Sequence, residues 1–197
     1  LVAGVAFAHD FWIRPSSFHP PLGEVMNLSL LVGDGFEGEP VLRNEKKIVS
    51  FSVIGPDGAN KPAVGREDDA PAGRYRPTSA GLHLAGYRSR NAAVELDGPK
   101  FEAYLHEEGL EAISALRAKR GETARPAKET YSRSAKALFL VGEGGPRSFE
   151  REFGFDLELI PEQDPYASAP GEPFAVRLVF RKQPVAEALI SALHLVD

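Results

Sequence analysis

Cysteine is absent from the 197 residues. That excludes thiolate nucleophiles, thiolate-ligated metals and disulfide staples together, and it suits an oxidising compartment, where an unpaired thiol is a liability. Also missing is any apolar run near the ~20 residues that a membrane-spanning helix needs. The 23 Lys and Arg are outnumbered by 28 Asp and Glu and form no basic stripe. Nucleic acid is therefore not an expected partner, because phosphate neutralisation needs clustered cations. There is no Gly-x-Ser-x-Gly elbow, and no Ser stands beside a His in a nucleophilic context. The glycines of Gly142-Glu143-Gly144-Gly145 lack the Lys-Ser/Thr that would complete a phosphate-binding loop, so they read as a turn. Together these absences point to a protein that binds something and is not an enzyme.

What is present is mostly strand. Hydrophobic residues make up 43% of the chain, enough for a sizeable core. Met26, Leu28 and Leu30 share one face of a run that ends at Gly33-Asp34-Gly35. Val49, Phe51 and Val53 alternate with Ser50 and Ser52 before the turn signal Gly55-Pro56-Asp57-Gly58. Residues 59–80 are rich in Pro, Gly and charge and read as a long connection. Leu82 to Tyr87 and Tyr131 to Val141 read as strands, and Phe153, Phe155, Leu157 and Leu159 form a period-2 face opposed by Asp156 and Glu158.

Helix is confined to residues 99–120. Pro99 suits a first turn, Gly109 and Gly121 suit C-terminal caps, and Gly109 divides the segment in two. Strands with the helices segregated into one insertion predict a mainly β protein, an immunoglobulin-like β-sandwich. Residues 1–8 are apolar and small, and Ala6-Phe7-Ala8 has the pattern of a cleavage site. They read as a signal-peptide remnant, which implies a periplasmic or secreted protein. The sandwich is expected over 9–160. Pro161, Pro165, Pro170, Gly171 and Pro173 then mark a linker, and 161–197 ends in the first hairpin of a C-terminal immunoglobulin-like module.

Histidine carries the chemistry. Cleavage after Ala8 makes His9 the amino terminus, where its amine and imidazole form a bidentate nitrogen chelate suited to copper(II) or nickel(II). Cleavage after Ala6 leaves His9 third, where amine, two backbone amides and imidazole form a square-planar set for the same metals. His83 lies mid-strand on a face with Ala85 and Tyr87, as a second ligand or as a half-buried imidazole bonded to backbone. His106 reads as solvated, His19 as loop and His194 as strand. Asp34, Glu37 and Glu39 read as an exposed turn, as does Glu67-Asp68-Asp69. Tyr131, Arg133 and Lys136 make a polar cluster in which Lys136 opposes the other two on an unbroken strand.

His9-Asp10-Phe11-Trp12-Ile13-x-Pro15 after a small-x-small site resembles the opening of the domain of unknown function 4198 (DUF4198) family. Gly81-Leu82-His83, Lys100-Phe101-x-x-Tyr104-Leu105-x-x-Glu108-Gly109-Leu110 and Tyr131-x-Arg133-x-x-Lys136-x-Leu138 extend the resemblance over roughly residues 9–195. The resemblance implies a NikM-like periplasmic component of nickel and cobalt uptake. Its metal ligands would be His9 and His83, with Asp10 as a supporting acceptor, and its partner would be a membrane transporter. The expected cargo is therefore nickel, cobalt or copper. The alternatives are a metal-free structural or ligand-binding sandwich, using Trp12 and neighbouring aromatics, and a histidine-brace copper oxidase.

Overall fold

The computed structural model describes residues 10–169 and 171–195; the signal-like segment and His9 lie outside them. The protein is mainly β, with thirteen strands and two short helices among the described residues. Three strands open the first sheet: β1 (Asp10–Pro15), β2 (Met26–Asp34) and β3 (Glu37–Val41). They pair antiparallel in that order, and β6 (Gly73–Tyr75) also pairs with β2. Gly35 and Phe36, both at positive φ, make the two-residue turn between β2 and β3 that right-twisted hairpins favour.

The second sheet has the order β10 (Ser134–Val141), β7 (Gly81–Ser89), β4 (Ile48–Ile54), β5 (Asn60–Pro62). It packs face to face on the first. Ile13, Met26, Leu28, Leu30 and Tyr75 meet Phe51, Val53, Ala85, Tyr87, Ala137 and Phe139 in one buried cluster. The outer face of the second sheet is covered too, since Leu82, Leu84 and Leu140 are packed by Phe149, Phe153 and Tyr166. Burial on both faces explains why β7 reads as a nearly continuous apolar run. Gly86 is needed there, because a Cβ would stand 2.5 Å from the Phe153 ring.

After β1 the chain crosses to the edge of the second sheet. Phe18 accepts a hydrogen bond from the Leu140 amide and Pro20 one from the Gly142 amide, at 2.9 and 3.0 Å. Residues 16–20 thus run parallel to β10 and join the two layers along one side.

The helical insertion falls as the sequence predicts, with α1 at Gly98–Glu107 and α2 at Glu111–Lys119. Pro lies in the first turn of α1, and Gly109 and Gly121 take positive φ behind the two helices. The helices are clasped by Arg117, which meets Glu102 at 2.6 Å and lies over the Phe101 ring.

Several expectations need correction. The stretch 59–80 contains β5 and β6, and β6 crosses to the other sheet; three-residue strands are too short to show a period. The run from Tyr131 to Val141 is broken at Ser132-Arg133. Tyr131 ends β9 (Ala127–Tyr131), which pairs with β8 (Ala92–Leu96), and Ser134 begins β10. The period-2 face of 153–159 is inverted in β11 (Leu157–Pro161), where Glu158 is buried and Leu157 and Leu159 are exposed. β11 pairs forward with β12 (Val176–Phe180), so the strand that straddles residue 160 belongs to a third sheet. Arg181 and Lys182, at positive φ, turn the chain into β13, only Gln183–Pro184. Leu189, Ser191 and Leu193 are exposed and outside any strand.

Candidate metal centre

Asp10 starts β1 opposite Gly33. Its neighbour Phe11 packs on Tyr87 at 5.2 Å between ring centroids, and the Arg133 guanidinium lies 5.2 Å above Phe11 and 5.7 Å from the Tyr131 ring. Tyr131 and Arg133 thus stay together, as expected, across the break at Ser132-Arg133. Lys136 goes elsewhere, to Glu158 at 2.8 Å.

The same end of the sandwich receives the helical insertion. Tyr104 on α1 donates to Glu129 on β9 at 3.0 Å, which ties the C-terminal end of α1 to that strand. Glu107 and Glu108 stand at that end, where the helix dipole disfavours negative charge. Desolvation first, and then the charges of Asp10, Glu107 and Glu129, push the Glu108 carboxyl above its usual range. Desolvation and the Glu129 carboxylate likewise raise the Tyr104 phenol. Asp10 of β1, Glu107 at the end of α1 and Glu129 of β9 thus all act on Glu108, the residue that caps the helix. They are not close enough to hold an ion alone: among the described residues no three His, Asp or Glu side chains gather as a metal site.

His83 lies toward the other end. On β7 it pairs with Phe139 of β10, and four residues of extended strand, about 13 Å, separate it from Tyr87, where Phe11 packs. Asp10 is one residue further out. Of the ligands that the family resemblance implies, Asp10 and His83 therefore stand well apart, and His9 lies outside the described residues. The alternation of β7 is legible in sequence, but not which end of β1 meets it. His83 is fully buried, stacked on Phe139 with centroids 5.5 Å apart, and its Nδ1 is 3.1 Å from the Gly81 carbonyl. Burial holds its pKa below the usual imidazole value.

The other histidines are peripheral. His106 is exposed and meets Glu111 at 2.8 Å, and His19 packs edge-on against Tyr166. His194 is exposed outside any strand. Trp12 lies across Gly38, where a Cβ would stand 2.5 Å from the indole. The acidic motif that sequence reasoning left out of the site is Glu107-Glu108. Its position at a helix C-terminus was the available signal.

A family model described as a domain of unknown function (DUF4198) matches residues 6–195. No curated protein and no solved structure matches the chain.

Proposed function

The chain belongs to this family of unknown function, and from that premise we propose that it is an exported carrier of a divalent transition ion, nickel, cobalt or copper, for a membrane transporter. The observation that supports the reading is the electrostatic coupling of Glu108 to Asp10, the residue that follows His9: burial first, and then the charges of Asp10, Glu107 and Glu129, push the Glu108 carboxyl up. Like charges held against a helix dipole and against each other are costly in the empty protein, and a cation relieves them.

The donor chemistry fits the cargo. His9 offers imidazole and, once the leader is removed, amine nitrogen, and Asp10 and Glu108 offer carboxylate oxygen; borderline divalent ions take such mixed nitrogen and oxygen sets. Among the described residues no helix is long and apolar enough to cross a membrane. A transporter partner would therefore supply the membrane passage. Titration calorimetry of nickel(II) and copper(II) into the chain beginning at His9 tests the reading. His9→Ala should lower affinity at least tenfold, about 1.4 kcal/mol, and equal affinity would overturn it.

One observation favours a second reading, a metal-free ligand-binding sandwich. A largely apolar cleft of about 330 Å³ lies between β10 and the third sheet, lined by Leu138, Phe155, Leu159 and Val176 with Lys136 and Glu158 at its polar side. An apolar small molecule retained there, with no response to metal, would favour it.

A further inference from the structure

The third sheet is lopsided. One of its faces, with Glu158, Ile160 and Val179, is buried. The other is apolar across all three strands. Leu157 stands opposite Phe180 and Leu159 opposite Leu178, and Val185 donates its amide to the Leu178 carbonyl at 3.0 Å, which carries the row past β12. Such cross-strand pairs point to one side of a sheet, yet Leu157 is 52% exposed and Phe180 47%. Phe174 is exposed as well, as is every large apolar side chain from Val185 to Leu195. Together these residues present on the order of 1,000 Å² of apolar surface. That exceeds the roughly 300–600 Å² of the largest patch on an ordinary monomer, and it reaches the ~800 Å² that each partner buries in a stable interface.

The edges of the sheet do not invite a further strand. Lys136 takes the Leu159 carbonyl at 3.1 Å on the β11 side, and β13 is two residues long and ends in Pro184; both features blunt an edge. A partner must therefore lie on the face, as the second layer of a sandwich does. The two ends of the sheet differ in charge. Asp156 at one end is paired with Arg88, and Glu162 at the other with Arg177. Beside Asp156, the exposed turn of Arg181 and Lys182 is left without a carboxylate, Arg181 lying over the Phe180 ring. Toward Glu162, where Gln163 holds the Pro173 carbonyl, the exposed Glu172 accepts only the Ala169 amide among the described residues. A basic end and an acidic end on one neutral apolar face complement a copy of themselves laid on in reverse.

We propose that this face is the contact surface for a second copy of the chain. The two third sheets pack face to face about a two-fold axis that lies between them and crosses the strands, so that Arg181 and Lys182 of each copy meet Glu172 of the other. An isologous contact of this kind uses the same patch twice and closes at two. The cleft of about 330 Å³ beside the face has as its charges only Lys136 and Glu158, which already answer each other; it receives an apolar side chain of the copy. The contact uses none of the residues of the proposed carrier centre.

Sedimentation equilibrium of the folded chain beginning at His9 tests this, and the expected result is a dimer. Leu159→Glu and Arg181→Glu should each weaken it at least tenfold. Combining Arg181→Glu with Glu172→Lys should restore it, because the exchange of signs rebuilds the contact only when the partner is the same chain. All three positions are exposed, so the far-UV circular dichroism of the variants should match the parent. His9→Ala should dimerise as the parent does, which keeps this outcome separate from that of nickel binding. A monomer at every concentration, a dimer indifferent to Leu159→Glu, or a sign-exchanged variant that stays monomeric overturns the dimer. So does a monomer that retains an apolar small molecule in the cleft.

Discussion

The Lys136 ammonium lies 2.8 Å from the Glu158 carboxylate, with both side chains nearly out of solvent, and this pair ties the second sheet to the third. The same carboxylate accepts the amides of Phe153, Gly154 and Phe155 at 2.8–3.2 Å. Lys136 also donates to the carbonyls of Arg151 and Leu159. Every charge in the pair is answered, which is the condition under which a buried ion pair persists.

Removing one partner should therefore be severe. Glu158→Gln leaves the ammonium buried without its counter-charge, and the expected loss is about 3–5 kcal/mol by urea unfolding at neutral pH. A loss under about 1 kcal/mol would mean that the pair behaves as a surface bridge.

Stability should fall on mild acidification through His83. Its folded pKa is depressed by burial, so between that value and the unfolded 6.5 the unfolded chain binds a proton that the folded one does not. The contribution is intact above pH 6.5 and is lost as pH falls below it, at no more than about 1.4 kcal/mol per pH unit. His83→Phe, stacked on Phe139 in the same way, should remove that part of the slope in denaturation curves measured between pH 7 and 5.

Glu108→Gln should act in opposite directions on stability and binding. The raised carboxyl pKa means that ionisation opposes folding: stability is fullest below the unfolded pKa and is lost as pH rises through the folded one. At neutral pH the metal-free variant should therefore melt slightly higher than the parent, while its nickel(II) affinity drops several-fold. A variant that melts lower and binds equally well would remove Glu108 from the site.

Gly38→Ala should disturb the single tryptophan. The new Cβ would meet the Trp12 ring at 2.5 Å and the Val32 carbonyl at 3.0 Å, a steric conflict worth about 1–3 kcal/mol. Displacement of the half-buried indole should shift its emission to the red, and unchanged emission would show that the ring does not rest there.

The helices were legible because Pro99, Gly109 and Gly121 punctuate them on the chain itself, and β2 and β4 because one face of each is buried and the other is less so. The strands β5 and β6 were not, since their pairing depends on partners far away in sequence. Glu158 shows the deeper difficulty. Alternation marks which residues share a face, but it assigned the wrong face inward, because one lysine and three amides outweigh the leucines beside it. The sequence places His83 on a face of β7 with Ala85 and Tyr87, as a second ligand or as an imidazole bonded to backbone, and the structure gives it the backbone contact to Gly81. Its distance from Asp10 was invisible, because spacing along one strand carries no information on which end of another strand lies near.

Because residues 16–20 continue β1 onto the rim of β10, the opening segment is shared between both layers. Traction on the beginning of the chain would not peel off a loose tail; it would have to shear two ladders at once. On the carrier reading proposed above, a recipient docking at Asp10 would meet a rigid strand, and hand-over would proceed by exchange of donor atoms around the ion while the strand stays in place.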